Sequence, residues 1–399
     1  MKRKLIVGIS VAIIFLIAIV SGSLYVMNHR EATAQTASSK QEQKTENNKE
    51  QQKLLTTDEQ VEDILSRMSL TEKIGQLMMV SLPGTEVDDE ARYALHQFHY
   101  GGIVLFDRNF ESKEQVKNFV LDVQSGAGEK VPLFVAIDEE GGLVSRGKEV
   151  IPPPPSAEAV GKENKEFARK LASAVAGDLR EIGVNVNFAP VADLGLGRER
   201  SYSTSPYEVL KFVQAVGEGY HEKGLIYTLK HFPGIGKGTV DSHEDFSSIE
   251  ATEHELRKED LVPFRETING TDKGRPMDYM IMVGHFRYPA FDTENPASLS
   301  AKIITGLLRK DLGYEGLVIT DDLGMGAIIK QYTFGEAAVK AFQAGSDLIL
   351  VCHDYGHAEE AYMGILNAVK EGKISEKRVD ESVRRIIKTK FRHGLKPVQ

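Results

Sequence analysis

The sequence predicts an α/β protein built as a single (β/α)8 (TIM) barrel, preceded by an N-terminal transmembrane or signal segment. Three observations lead there. From Thr57 onward eight short apolar runs alternate with longer amphipathic stretches, five of these segments deliver ionisable residues just past the run, and composition does not change again after Thr57. Near-continuous apolar runs separated by helices are the pattern of a parallel sheet covered on its outer face. A doubly wound open sheet is the rival, but eight parallel strands without a glycine-rich first turn favour a closed ring.

The chain opens with a basic cluster, Lys2, Arg3 and Lys4, ahead of an uncharged run at 5–27. That run is 23 residues long, more than the ~20 needed to cross a hydrocarbon core. With the basic residues in front, the positive-inside tendency places everything after Arg30 on the outer side of the membrane. The alternative is a signal peptide cleaved near Ala34, because Ala32-Thr33-Ala34 resembles a small-residue cleavage site. Either reading of 1–30 makes the protein extracytoplasmic, anchored or secreted. Lipoprotein processing is excluded, since no cysteine follows the apolar run closely; the sole cysteine is Cys352. Residues 31–56 are mostly Gln, Glu, Lys, Asn, Ser and Thr, a composition that buries too little surface to offset its ordering entropy, and a disordered linker is expected.

The barrel domain is expected over 57–399. Thr57-Asp58-Glu59-Gln60 has the form of a capping box, and Val61, Ile64, Leu65 and Met68 then fall on one helical face. The eight strand candidates are 74–82, 101–106, 133–138, 184–190, 226–232, 278–285, 316–322 and 346–352. Helices are expected at 166–182, 206–223, 334–344 and 375–393. The last has Val379, Val383, Ile386 and Ile387 on one face and Gly394 as a stop.

Charge and composition exclude some functions. A net charge of -9 argues against a nucleic-acid partner, which needs a basic face. One cysteine permits neither an intramolecular disulfide nor a cysteine metal cluster. A single-domain chain of this kind is expected to be a monomer.

The polar residues at strand ends carry the functional signal. Asp138, Lys230 with His231, His285, and Asp321 with Asp322 end the third, fifth, sixth and seventh runs, and Asp193 follows the fourth. In a barrel these ends converge on the face where catalysis is found, and buried charge without partners is too costly to recur there by accident. Asp321 continues a rigid apolar strand, whereas Asp322 alternates to the other side and suits a helix N-terminus or an Arg. The stretch after Lys230 is rich in Gly and ionisable groups but lacks the order of a phosphate-binding loop. Within it Asp241-Ser242-His243 pairs a His with a carboxylate that would orient the ring and raise its basicity, a proton-transfer device. A zinc site is the alternative, which no His-Glu-x-x-His helix and no cysteine supports.

At these residues the sequence resembles the β-N-acetylglucosaminidases of glycoside hydrolase family 3, from about Val61 to Leu323. The opening Met68-Ser69-Leu70-Thr71-Glu72-Lys73-Ile74-Gly75-Gln76-Leu77, the strand 101–106 with Arg108-Asn109, and Ile137-Asp138-Glu139-Glu140-Gly141-Gly142 with Arg146 are similar to its first three motifs. Asn187-Phe188-Ala189-Pro190-Val191-Ala192-Asp193, Arg200-Ser201-Tyr202, Lys230-His231-Phe232-Pro233-Gly234, Asp241-Ser242-His243 and Thr320-Asp321-Asp322-Leu323 follow in the family's order. The resemblance implies a retaining hydrolase. Asp321 would attack the anomeric carbon and His243, supported by Asp241, would protonate the leaving oxygen, with a covalent glycosyl-enzyme between the two steps. Asp138, Arg146, Arg200, Lys230 and His231 would hold an N-acetylglucosamine ring, and His285 would line the pocket. No metal or organic cofactor is implied, and the chain ending at Gln399 suggests a barrel without the second domain of many members. The substrate class would be peptidoglycan fragments or related glycans. With no Trp to stack on sugars, 13 Tyr and 17 Phe suit a pocket for one or two units. The chain departs from the family at Leu143, often Arg, and at Ile235 and Lys237-Gly238, often His and Asp-Thr. Two other functions fit the same scaffold: a phosphorylase, because a His acid/base does not repel phosphate, and a non-catalytic cell-wall glycan-binding protein.

Overall fold

The computed structural model describes residues 56–126, 131–238, 247–270, 279–352 and 354–395. The apolar run 5–27, Ala34, most of the expected linker and the pair Asp241 and His243 lie outside the described residues. Among those described, no helix is long and apolar enough to cross a membrane.

All eight expected strands form. They are β1 (Met78–Ser81), β2 (Gly102–Leu105), β3 (Phe134–Ile137), β4 (Val186–Asn187), β5 (Ile226–Phe232), β6 (Tyr279–Val283), β7 (Leu317–Thr320) and β8 (Ile349–Val351). Every neighbouring pair is parallel, in the order β7-β6-β5-β4-β3-β2-β1-β8. A parallel bridge between Ile319 and Leu348 joins β7 to β8 and closes the ring. Every residue of β1, β2, β3, β6, β7 and β8 is buried, as runs covered on both faces require.

Helices follow the strands on the outside. Lys165–Glu181 and Pro206–His221 flank β4, Phe334–Ala344 lies between β7 and β8, and Glu376–Arg392 closes the described chain. Gly394, at φ 67°, ends the last helix as expected, its N–H donating to the Phe391 carbonyl at 3.0 Å.

Boundaries moved where capping chemistry was stronger than apolar pattern. Thr57 is the first residue of helix Thr57–Ser66 rather than its cap, while a capping box forms at Ser69 with Glu72 and starts helix Leu70–Gln76. The front of the expected first strand is therefore helical. Regular pairing in β4 stops at Asn187, short of Pro190, which has no N–H to donate.

Two insertions at the C-terminal ends of the strands have no counterpart in the sequence reading. After β3 comes a hairpin of Glu139–Gly141 with Val144–Ser145, and after β6 a second of Arg287–Tyr288 with Asp292–Pro296. The opposite end is sealed by Lys390 of the last helix. Its Nζ donates to Gln76 Oε1 at 2.9 Å and lies 4.8 Å from the centroid of the Phe134 ring.

Candidate active site

The site begins with a backbone irregularity. Pairing of β5 with β6 slips between Leu229 and Phe232, so β5 carries one extra residue at Lys230–His231. A regular strand sends successive side chains to opposite faces, whereas a bulge re-aims them. Here the two neighbours reach carboxylates that follow β3 and β4. Lys230 Nζ lies 2.6 Å from Asp138 Oδ1 and 2.7 Å from Glu140 Oε1, and His231 Nδ1 lies 2.8 Å from Asp193 Oδ2.

Asp138 and Glu140 stand two residues apart after β3, so alternation puts both on one side. Glu140 is also held by Arg200 in a two-pronged pair, Nε and Nη2 each at 2.8 Å. Burial acts to raise the Glu140 carboxyl, but Lys230 and Arg200 outweigh it and hold the pKa down to about 2. Burial likewise acts to lower the Lys230 amine, and Asp138 and Glu140 raise it overall. Glu140, Lys230 and Arg200 are therefore ionised at neutral pH.

Glu139 points the other way and serves the hairpin. Its carboxyl accepts from the Ser145 hydroxyl and from the Gly147 N–H at 2.8 Å. Asn187 of β4 grips its backbone, Oδ1 accepting from the Glu139 N–H and Nδ2 donating to its carbonyl, both at 3.0 Å. Burial pushes the Glu139 carboxyl up.

Asp193, fully buried, is the orienting group for His231. Besides the ring contact it accepts the Ile235 N–H at 2.8 Å. With Nδ1 engaged there, Nε2 is the ring nitrogen left to meet a ligand.

Asp321 ends β7, where its N–H donates to the Val283 carbonyl at 3.0 Å and its Oδ1 accepts from the Asp322 N–H at 2.9 Å. Burial would raise its pKa, but the nearby His231 ring, the Asp322 N–H and Lys230 hold it below the ordinary value. Asp322 turns away. Its Oδ1 accepts the N–H groups of Gly324 and Cys352, both at 3.0 Å. His285 stands behind this pair with Nε2 2.8 Å from the Asp322 carbonyl and Nδ1 2.7 Å from Ser298 Oγ. A carbonyl only accepts, so Nε2 carries the proton and Nδ1 accepts the Ser298 hydroxyl. Burial lowers the His285 pKa, in keeping with a neutral ring.

Asp138, Arg200, Lys230, His231, His285 and Asp321 thus occupy the C-terminal ends of β3 to β7. Arg146 joins the cluster through its backbone, its N–H donating to the Asp138 carbonyl at 3.2 Å, while its side chain places Nη1 3.1 Å from Asp107 Oδ2 and the guanidinium 5.9 Å from the Phe106 ring. The three departures also have places. Leu143 is 72% exposed at the hairpin turn, Ile235 is buried, and Lys237 reaches away to Glu259 and Asp260 at 2.7 and 2.8 Å. Sequence reading gave no role to Glu140, although its two-residue spacing from Asp138 marks it. It also missed that Asp193 serves His231, for which the sequence holds no local signal. Among the described residues no group of three or more His, Cys, Asp or Glu is arranged to hold a metal ion.

The arrangement offers an ionised carboxylate at the end of a rigid strand, beside a charged network able to bind several hydroxyls. Comparison with known proteins identifies the family. The family model described as Glycosyl hydrolase family 3 N terminal domain matches residues 69–389. The chain is 31% identical to beta-hexosaminidase A of Pseudoalteromonas piscicida, across 77% of this chain and 56% of that protein. It is 34% identical to the beta-hexosaminidase of Idiomarina loihiensis, across 69% of this chain and 84% of the relative. Among solved structures, a glycoside hydrolase family 3 beta-N-acetylglucosaminidase from Paenibacillus sp. superposes with a TM-score of 0.77 at 36% identity, covering 83% of this chain and 64% of that one. With its eight-stranded ring and this constellation of charge, the chain belongs to glycosyl hydrolase family 3.

Proposed function

We propose that the protein is a retaining β-N-acetylhexosaminidase that releases terminal β-linked N-acetylglucosamine from peptidoglycan fragments or related glycans. The observation that carries this is the setting of Asp321. Its carboxyl is held ionised, one oxygen is tied to the Asp322 N–H, and the other remains to attack an anomeric carbon. Hydroxyls of the bound sugar pair with Asp138, Lys230, Arg200 and the Nε2 of His231. His243, supported by Asp241, donates the proton to the leaving oxygen and later takes one from water. The names of the similar proteins, beta-hexosaminidase and beta-N-acetylglucosaminidase, support the substrate class. The basic cluster and the apolar run 5–27 support action outside the cytoplasm, with the enzyme anchored there or released by cleavage near Ala34.

Turnover of an aryl N-acetylglucosaminide tests the reading. The wild-type chain should release the phenol and free N-acetylglucosamine, Asp321→Ala should lose activity by roughly 10³-fold or more, and a fluorosugar inactivator should leave its mass on the peptide containing Asp321. Wild-type-like turnover by Asp321→Ala sinks the assignment, and a sugar 1-phosphate product replaces hydrolysis with phosphorolysis.

A further inference from the structure

His285 reads in sequence as a residue that lines the pocket, yet the structure leaves it no atom for a ligand. Its side chain is buried, and each ring nitrogen is spent on a protein group: Nε2 on the Asp322 carbonyl and Nδ1 on Ser298. Ser298 is itself fixed. It is fully buried, and its N–H donates to the Gly284 carbonyl at 3.1 Å, which ties it to the end of β6.

The group His285 grips lies one residue from the reacting carboxylate. The Asp322 residue is bracketed on all sides. Its N–H donates to Asp321 Oδ1, its side chain takes two N–H groups from Gly324 and Cys352, and its carbonyl takes the His285 proton. The first of these contacts sets the direction of the Asp321 carboxylate. The Asp322 carbonyl also accepts the Met325 N–H at 3.0 Å, so removing the His285 contact leaves it to the Met325 donor and lets it swing that way, away from the end of β6. A shift of that carbonyl turns ψ at Asp322 and is passed through the Asp322 Cα to the neighbouring peptide, whose N–H meets Asp321 Oδ1.

We propose that His285, held in one tautomer by Ser298, is a positioning residue that fixes the Asp322 peptide and through it the attack line of the Asp321 carboxylate. It does not touch substrate, so its loss acts on the chemical step and spares binding. Misplacement of a reacting group by about 1 Å is enough to cost on the order of 10²-fold. This inference rests on Asp321 being the nucleophile.

The experiment compares His285→Phe, His285→Gln and Ser298→Ala with the wild-type full chain on an aryl N-acetylglucosaminide, with thermal melts to establish folding. The amide nitrogen of Gln reaches about as far as Nε2 and can donate to the same carbonyl; Phe cannot. His285→Phe should lose on the order of 10²-fold in kcat with KM within about threefold, and fluorosugar labelling of Asp321 should slow in parallel. His285→Gln should recover most of that loss. Ser298→Ala should lose about tenfold in kcat at unchanged KM, and it decides alone if His285→Phe does not fold. A folded His285→Phe with wild-type kcat overturns the proposal, as does an equal loss in the Gln and Phe variants or a loss confined to KM. Failure of the parent reading looks different: there the wild type is inert or Asp321→Ala keeps its activity, whereas failure of this inference alone leaves an active wild type, a dead Asp321→Ala and an unaffected His285→Phe.

Discussion

Among the described residues two lysines are buried in this barrel, at opposite ends, and they are opposite in kind. Lys230, at the C-terminal end of the strands, is 2% exposed and lies between Asp138 and Glu140. Lys390, at the other end, is 0% exposed and meets an amide oxygen and an aromatic face. Carboxylate partners raise the pKa of Lys230 against the effect of burial, while at Lys390 burial has nothing comparable to oppose it and the pKa falls well below 10.5. Burial alone therefore does not set charge; the partners do. The rule holds at both ends: Asp347, fully buried just ahead of β8, stays ionised because Arg309 and Arg385 lie 2.6 and 3.0 Å from it.

The largest consequence is expected at Lys230→Met. It strands Asp138 beside Glu140, and breaking a buried ion pair costs about 3–5 kcal/mol. Urea melts should show a loss in that range, softened by the Arg200 pair, and kcat/KM should fall by at least about 10²-fold. Next comes Glu140→Gln. The folded pKa of about 2 lies below the ordinary 4.5, so the carboxylate contributes stability that is present above pH 4.5 and lost as pH falls through 2. Melts taken along that interval should show the wild type losing about 3 kcal/mol more than Glu140→Gln; parallel curves refute it.

Lys390→Met should move neutral-pH stability by only about 1 kcal/mol in either direction, because replacing a poorly paired buried amine by an apolar chain is often neutral or favourable. Its signature is the pH slope. The unfolded chain binds a proton that folded Lys390 lacks, so wild-type stability should climb as pH rises toward 10.5, by at most about 1.4 kcal/mol per pH unit, and the variant should lose that climb. Lys230 carries the reverse sign, since its raised pKa gives stability that is lost only at higher pH. If Lys390→Met is as damaging to activity as Lys230→Met, the contrast between the two ends fails. The smallest effect belongs to Glu139→Gln. Burial already favours the neutral carboxyl, so activity should stay within about threefold in the same assay and stability within about 1 kcal/mol.

The ring was legible in sequence because each strand is apolar on both faces, and a fully covered strand leaves a run that needs no periodicity to be seen. The expected span 226–232 coincides with β5, and 334–344 with its helix. Asp138, Lys230, His231 and Asp321 were legible for the same reason: charge at the end of an apolar run stands out. What could not be read is pairing across the ring. The Asp193–His231 contact joins residues 38 apart through a bulge whose extra residue shows only when β5 is set against β6. Arg146 is tied to Asp138 through its backbone N–H, while its side chain meets Asp107, a split set by a hairpin too short to leave a pattern. Glu140 was readable by alternation from Asp138, and Glu139 beside it shows the same rule from the other face.

Closure of the ring also has a consequence in time. The Ser81 hydroxyl donates to the Cys352 carbonyl at 2.6 Å across 271 residues of chain, where β1 meets β8. At ~5–20 residues per second of synthesis, that partner emerges roughly 15–50 s after Ser81 itself. For that interval β1 has β2 on one side and an open hydrogen-bonding edge on the other. The first strand made is among the last to be finished, and whatever shields its free edge during those seconds governs how much of the newborn chain reaches the closed barrel.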